Sequence, residues 1–479
     1  MSLRFPAPRY LVPMIVACAL FMENMDSTVI ATALPTIADS FGENPLRLNL
    51  AITAYLLSLG IFIPLSGWLA DRFGSRTVFC TAIVVFTLGS IACSSVQTLP
   101  ELVFARVLQG MGGAMMVPVG RLVVLRTIPK AELVSAMAYL TVPALIGPVV
   151  GPPLGGFIVT YTSWRWIFLI NVPIGLLGFA LALRFVPNVR EPRDVPLDLA
   201  GFGIVSLGLA STMFGFENVG RGILPGGAIL ALIGVGVVLL AFYARRARSV
   251  AEPILDLSLF RVPTFGASVI GGFVFRIGIG ALPFLTPLML QLGFGLTPFA
   301  SGMITFAGAA GALLMKFTAA PILRAFGFRR VLLGNTVLCA VFMATYALFG
   351  PTTPHLVIIA TLLAGGFFRS LQFTSVNTLA FADVSQSLMS RATTLSSVAQ
   401  QLAMTFGVGL GALLLHLTLS FAGRTKLGPD DFAPAYYAIA GVGLASLYYF
   451  MKLPRDAGAE MSGRREERAD LVKVVHGVE

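Results

Sequence analysis

The stretch Gly67-Trp-Leu-Ala-Asp71-Arg72-Phe-Gly74-Ser-Arg76 is a short basic loop between two apolar runs, 47–69 and 78–97. Gly67 lets another helix approach closely, and Gly74 permits a turn with positive φ. Asp71 is an acid in a basic loop. It is placed to face a helix N-terminus, whose partial positive charge favours an anion; the bland alternative is a pairing with Arg72 or Arg76 alone. The pattern returns at Leu323-Arg-Ala-Phe-Gly-Phe-Arg-Arg330, again a glycine turn flanked by arginines. The chain therefore reads as two related halves.

Outward from these loops, uncharged apolar runs recur along the chain. Their approximate limits are 10–35, 47–69, 78–97, 100–126, 133–160, 164–186, 197–219, 224–244, 262–291, 296–322, 328–349, 354–381, 387–416 and 430–452. Many are near the ~20 residues that span a bilayer as a helix. Backbone groups in lipid must bond internally, so these are helices, and no period-2 barrel strands are present. Of the 479 residues 56% are hydrophobic and only 11% charged, with a mean hydropathy of +0.87. A soluble domain carries roughly 25% charged residues. The expected fold is thus an all-α integral membrane protein of about fourteen spans. The first run is too long for a secretory signal and holds Glu23 and Asp26, so it is expected to be an uncleaved first helix.

The net charge of +11 is no nucleic-acid signal, because the basic residues sit at the ends of apolar runs. They fall in alternate loops. One side holds, among others, Arg4, Arg9, Arg72, Arg76, Arg126, Lys130, Arg190, Arg193, Arg245, Arg261, Arg329, Arg391 and the tail from Lys452. The other holds only Arg47, Arg165, Arg221, Arg424 and Lys426. Basic loops mark the cytoplasmic side, which puts both termini in the cytoplasm of a multi-pass protein of the bacterial-type inner (plasma) membrane. The expected division is a six-helix bundle over 1–190, two inserted helices with charged linkers over 191–261, a second six-helix bundle over 262–453, and a flexible or surface-lying tail over 454–479. The inserted pair, 197–244, is expected outside the interface of the bundles, and the cavity between them. Repeated halves are a transporter signature, with the binding site near the midplane. Cys18, Cys80, Cys93 and Cys339 all lie in apolar runs without metal-ligand spacing and read as small buried side chains.

Several motifs, in order, resemble the major facilitator superfamily over nearly the whole length. The Gly67–Arg76 loop resembles its loop motif. Arg106-Val-Leu-Gln109-Gly110-Met-Gly112-Gly113-Ala114 resembles the arginine motif of its fourth helix. Gly147-Pro148-Val-Val-Gly151-Pro152-Pro-Leu-Gly155-Gly156 resembles the motif of its antiporters. Asp26-Ser-Thr-Val-Ile-Ala-Thr-Ala-Leu34-Pro35 and Trp164-Arg-Trp-Ile-Phe-Leu-Ile-Asn171-Val-Pro173-Ile-Gly175 resemble marks of its fourteen-helix drug:proton antiporter branch. The resemblance implies the major facilitator fold. It implies Asp71 as a latch on the helix starting near Ser387, and a proton-coupled exporter of small organic compounds, drugs included, working by alternating access. Such a protein is no enzyme, takes protons, a small-molecule substrate and the lipid bilayer as partners and needs no cofactor beyond the proton gradient. A monomer is the expected functional unit. The alternative is a dedicated exporter of an anionic or zwitterionic metabolite or metal chelate. A non-transporting membrane sensor would need no coupling carboxylates, so Glu23 and Asp26 argue against it.

Charges inside the membrane are costly unless paired or hydrated, and mark function. Glu23 and Asp26 are three apart and share a face of the first helix. With Arg106 they are the expected proton-coupling group, Asp26 as carrier and Glu23 assisting. Arg276 and Arg369 fall well inside their helices and are, with Gln109, Gln372, Asn377 and Gln400, candidates to hold substrate; the amides are otherwise ordinary interhelical hydrogen bonds. Arg121 and Lys316 lie near helix ends, where long side chains snorkel to the surface. Gly147, Gly151 and Gly155 share one face, expected to pack closely on 296–322 through Gly302, Gly308 and Gly311, while Pro148 and Pro152 bend the helix. Motifs account for Asp26 but not for Glu23 or Arg369.

Overall fold

A computed structural model describes residues 10–43, 45–191, 196–220, 224–424 and 427–462. The expected features of Arg4, Arg9, Arg193, Arg221, Lys426 and the tail beyond 462 lie outside these residues. Among the described residues the chain is helical, with no strand. The first half holds α1 (Leu11–Phe41), α2 (Pro45–Phe62), α3 (Ser66–Phe73), α4 (Ser75–Ser95), α5 (Leu99–Thr127), α6 (Leu133–Tyr161), α7 (Trp166–Leu169) and α8 (Asn171–Phe185). Next come α9 (Leu199–Glu217) and α10 (Gly226–Arg246). The second half holds α11 (Pro263–Gly280), α12 (Leu282–Leu288), α13 (Pro298–Phe326), α14 (Phe328–Tyr346), α15 (His355–Leu379), α16 (Met389–Ala422), α17 (Ala433–Ala445) and α18 (Leu447–Met451). Twelve stretches among the described residues are long and apolar enough to cross a bilayer. The 29-residue α6 and the broken helix α17–α18 occupy the two remaining apolar runs.

The two halves repeat one packing scheme. In the first, α1 packs on α6 and α8, α4 on α5 and α8, and α2 on α5. In the second, α11 packs on α16 and α17, α14 on α15 and α17, and α13 on α15. The glycine turns repeat as well. Gly74, with φ 93°, closes α3 and opens α4, and Gly327, with φ 75°, does the same between α13 and α14. In each, the glycine N–H donates to the carbonyl four residues back, Ala70 or Leu323. Only glycine occupies this region at no steric cost. The side-chain oxygen of Asn188 then accepts from the N–H groups of Arg76 (3.1 Å) and Thr77 (3.3 Å), which α4 leaves unbonded.

The two ends of the molecule are packed differently. At the basic end one apolar cluster runs continuously from Ile15, Phe79, Val123 and Met137 of the first half to Phe265, Met315, Phe328 and Leu395 of the second. At the opposite end it divides into two, one around Ile37, Leu48 and Trp164 and one around Leu285, Tyr346 and Tyr436. The halves are thus joined at the basic end and separately packed at the other.

Helix α9 lies along α2 and α16. Ser206 donates to the Ile61 carbonyl (3.0 Å), Thr53 to Glu217 (2.7 Å), and the Phe216 and Phe406 rings lie tilted against each other with centroids 4.3 Å apart. Helix α10 packs on α9 and leaves Leu230, Val235, Val238 and Phe242 exposed, an apolar face suited to lipid.

The glycine stripe of α6 does not meet α13 as its spacing suggested. A Cβ at Gly147 would lie 2.9 Å from the Met25 nitrogen; one at Gly151 would strike Thr28; one at Gly155 would lie 3.0 Å from the Val29 carbonyl. All three residues rest on α1. Gly308 and Gly311 of α13 instead face Gly366 and Leu363 of α15, and both Gly302 and Gly156 have open space. Small residues report that a backbone comes close, not which one. The side chains of Pro148 and Pro152 lie outside the described ones, and α6 continues through both positions.

Candidate functional site

Where α1, α4, α5 and α8 converge, a buried polar group is assembled inside the first half. Asp26, Arg106, Gln109 and Asn171 are each at most 2% exposed. Asp26 Oδ2 accepts from Arg106 Nη1 at 2.5 Å. Its Oδ1 accepts from Gln109 Nε2 (2.8 Å) and Asn171 Nδ2 (3.0 Å). Arg106 Nη1 also donates to Gln109 Oε1 (2.6 Å), and Ser90 accepts from Gln109 (2.7 Å) and Asn171 (3.2 Å). The Tyr55 ring lies 4.3 Å from the Arg106 guanidinium carbon, a cation–π contact. A buried ion pair persists only when hydrogen bonds satisfy its remaining lone pairs, as these amides do.

One turn earlier on α1, Glu23 contrasts with this. Its Oε2 is buried and has no hydrogen-bond partner among the described residues. Arg106 Nη2 and the Tyr55 hydroxyl are also buried and unbonded. One acid is held by donors from two helices, α5 and α8, and its neighbour is free to exchange partners. Such a pair can respond to a proton or to a ligand.

Asp26 and Arg106, expected together from the sequence, are paired, and Gln109, expected among the substrate candidates, is bonded to both. The motif spacing gave no sign that Asn171 and Ser90 complete the group, since they arrive from other helices. The available signal was that Asn171 is an amide in the otherwise apolar run 164–186.

In the second half, Arg276 donates to Asn377 Oδ1 (2.7 Å) and lies 5.2 Å from the Phe373 ring. Gln400 accepts from Arg121 (3.4 Å). Arg369 is partly buried, near Gly308 of α13. Gln372 is turned away from these groups. Its amide donates to Thr336 (2.7 Å) and its carbonyl accepts from Asn335 (2.9 Å), tying α15 to α14. Arg121 and Lys316 do not snorkel. Arg121 is 8% exposed, and Lys316, 9% exposed, donates to Thr374 at 2.7 Å. Each is instead buried against a polar group of a neighbouring helix, Gln400 of α16 or Thr374 of α15.

At the basic end Asp71 accepts from Ser390 on the first turn of α16, and from Arg126 Nη2 at 3.0 Å. Gly67 lies under α16, where a Cβ would come 2.9 Å from the Ser390 carbonyl, and Ser66 bonds Thr394 at 3.0 Å. Arg72 stacks over Trp68, and Arg76 offers its backbone N–H to Asn188. The loop thus joins the halves through Asp71 and Gly67.

Comparison with known proteins agrees with this architecture. The Major Facilitator Superfamily profile matches residues 16–408 and again 268–476. A relative from Escherichia coli O6:H1, provisionally named multidrug resistance protein MdtD, is 39% identical over 461 residues, covering 95% of this chain and 97% of its own. The protein of the same name from Klebsiella pneumoniae is 38% identical over 462 residues with the same coverage. Among solved structures, the human organic anion transporter MFSD10 aligns with TM-score 0.69 at 14% identity, covering 92% of this chain and 99% of that one. The proton:xylose symporter XylE aligns with TM-score 0.66 at 16% identity, covering 94% and 97%. Repeated six-helix packing, the motifs in order and full-length identity together establish that the chain belongs to the Major Facilitator Superfamily and is a transport protein, not an enzyme.

Proposed function

We propose that this protein is a proton-coupled antiporter that exports small organic compounds, of multidrug type, by alternating access. The observation that carries the reading is the buried carboxylate Asp26, held by Arg106, Gln109 and Asn171 beside the unbonded Glu23. An apolar surrounding disfavours an ionised carboxyl, and a guanidinium in contact favours it. Rocking one half against the other changes both terms, so proton affinity can differ between the two faces. A proton arriving at Asp26 must displace a donor, and cargo competing for that donor couples the two events. The energy suffices: one pH unit supplies ~1.4 kcal/mol per proton, and each charge moved across 100 mV adds ~2.3 kcal/mol.

The basic loops support a cytoplasmic basic end in a bacterial-type inner membrane, with both termini there. With that end cytoplasmic, the continuous cluster there supports a state closed to the cytoplasm. The repeated packing supports bundles over 1–190 and 262–453 with an inserted pair over 191–261. The MdtD-named relatives support the multidrug class. No cofactor beyond the proton gradient is needed, and a monomer contains the whole arrangement.

The test is a compound screen in proteoliposomes with an imposed pH gradient. Accumulation of one or more compounds that collapses when the gradient is dissipated is expected. Movement of compounds that equilibrates without accumulating, whatever the gradient, would make the protein a facilitator and overturn the coupling.

A further inference from the structure

The second half carries cations without acids. From Pro263 to Ala422 the helices contain Arg276, Lys316 and Arg369 in their interiors and Arg324, Arg329, Arg330 and Arg391 in their end turns, and the sole carboxylate of that stretch, Asp383, lies in a loop. Arg276 is 3% exposed, and Arg121, on α5 of the other half, 8%. Neither makes an ion pair among the described residues. Arg276 is held by Asn377 and Arg121 by Gln400, both through neutral amides. Each retains a buried donor with no partner, Nε of Arg276 and Nη1 of Arg121. Gln400, which holds Arg121, lies one turn before Met404 of α16, and Met404 and Gly407 pack on Gly280 and Ile277 of α11, so α16 brings both arginines to one level. A buried like-charged pair with free donors is unfavourable as it stands, and an anion between them removes both defects.

We infer that Arg121 and Arg276, flanked by Gln400 and Asn377, form a binding site for a small organic dianion with two carboxylate- or phosphate-type groups. The site is separate from the Asp26 group. Arg121 lies fifteen residues beyond Arg106 on α5, about 22 Å at 1.5 Å per residue. Its arginines come from opposite halves, so a dianion on both is held while the basic end is closed. Guanidinium forks suit such groups because each gives two parallel N–H bonds in a fixed plane. This inference takes from the antiporter reading only the role of the anion as cargo; the binding itself stands apart.

The probe is phthalate, with neutral phthalamide and cationic benzamidinium as controls, titrated calorimetrically into the full chain in nanodiscs. Phthalate is expected to bind at least tenfold more tightly than either control. Arg121→Gln and Arg276→Gln should each weaken phthalate at least tenfold, and Arg276→Lys, which keeps the charge, less than Arg276→Gln. Thermal melting identifies any variant that is not folded, and the wild-type comparison of the three probes needs no variant. No preference for phthalate in the wild type, or binding within twofold of wild type in both folded Gln variants, overturns the site. Gradient-driven accumulation of other compounds would persist in that event, so loss of the anion site and loss of the antiporter reading are separable.

Discussion

Asp26 is buried, and side chains of two other helices, α5 and α8, donate to it. Taking one donor away leaves a buried lone pair unsatisfied, which typically costs about 1–3 kcal/mol. Asn171→Ala should therefore lower the thermal stability of the purified protein by an amount in that range, whereas Gln401→Ala, which removes no bond to Asp26, should change it little. Equal melting of Asn171→Ala and wild type would show that Asn171 does not support the carboxylate. At this scale the sequence was legible where function and motif coincide. Asp26 and Arg106 stand out because a charge in an apolar run is rare. Asn171 and Ser90 did not, because their role depends on which helices meet. Arg121 and Lys316 misled because distance from a helix end says nothing about the direction in which a side chain leaves it.

Helices were legible from run length and the absence of a period-2 pattern, since lipid permits only helices and closed barrels. Their pairing was not. The stripe Gly147–Gly155 announced a close contact but not that α1, the helix carrying Glu23 and Asp26, is the partner. The consequence is specific. Gly151→Leu should push α1 away from α6 at Thr28, with overpacking costing about 1–3 kcal/mol, and transport should fall while membrane insertion persists. Unchanged transport would take the stripe out of the mechanism. The inserted pair is tied by a different device. Asp198 caps α9 by accepting from the Gly201 N–H (2.9 Å), and Arg246 at the end of α10 donates to both its oxygens at 2.8 Å. Burial works against its ionisation, but Arg246 and the cap hold the carboxyl below the usual aspartate range. A group so depressed stabilises the fold above its unfolded value, and the contribution is lost as pH falls through the folded one. Asp198→Asn should accordingly narrow the stability difference between pH 7 and strongly acidic pH, read by melting at each. An unaltered pH dependence would contradict the assignment.

The molecule as a whole is closed at the basic end by the continuous apolar cluster and by Asp71 on the first turn of α16. The repeated loops foretold this turn well, because φ above zero at Gly74 and Gly327 leaves a glycine in the sequence. The state of closure was not foretold, since the same residues serve both arrangements. Asp71→Ala should shift the equilibrium towards opening at that end. Spin labels at Phe73 and Phe326, both exposed, in a background without the four cysteines, should then show a larger long-distance population by electron–electron double resonance. An unchanged distance distribution would leave Asp71 without a latching role. The central claim is that Asp26 couples protons to export, and Asp26→Asn tests it most directly, because the amide keeps the shape but cannot release a proton. In proteoliposomes carrying a transported compound, the wild type should accumulate it under a pH gradient. Asp26→Asn should fail to do so while still exchanging labelled for unlabelled compound without a gradient. Gradient-driven accumulation by Asp26→Asn at the wild-type rate would contradict the account.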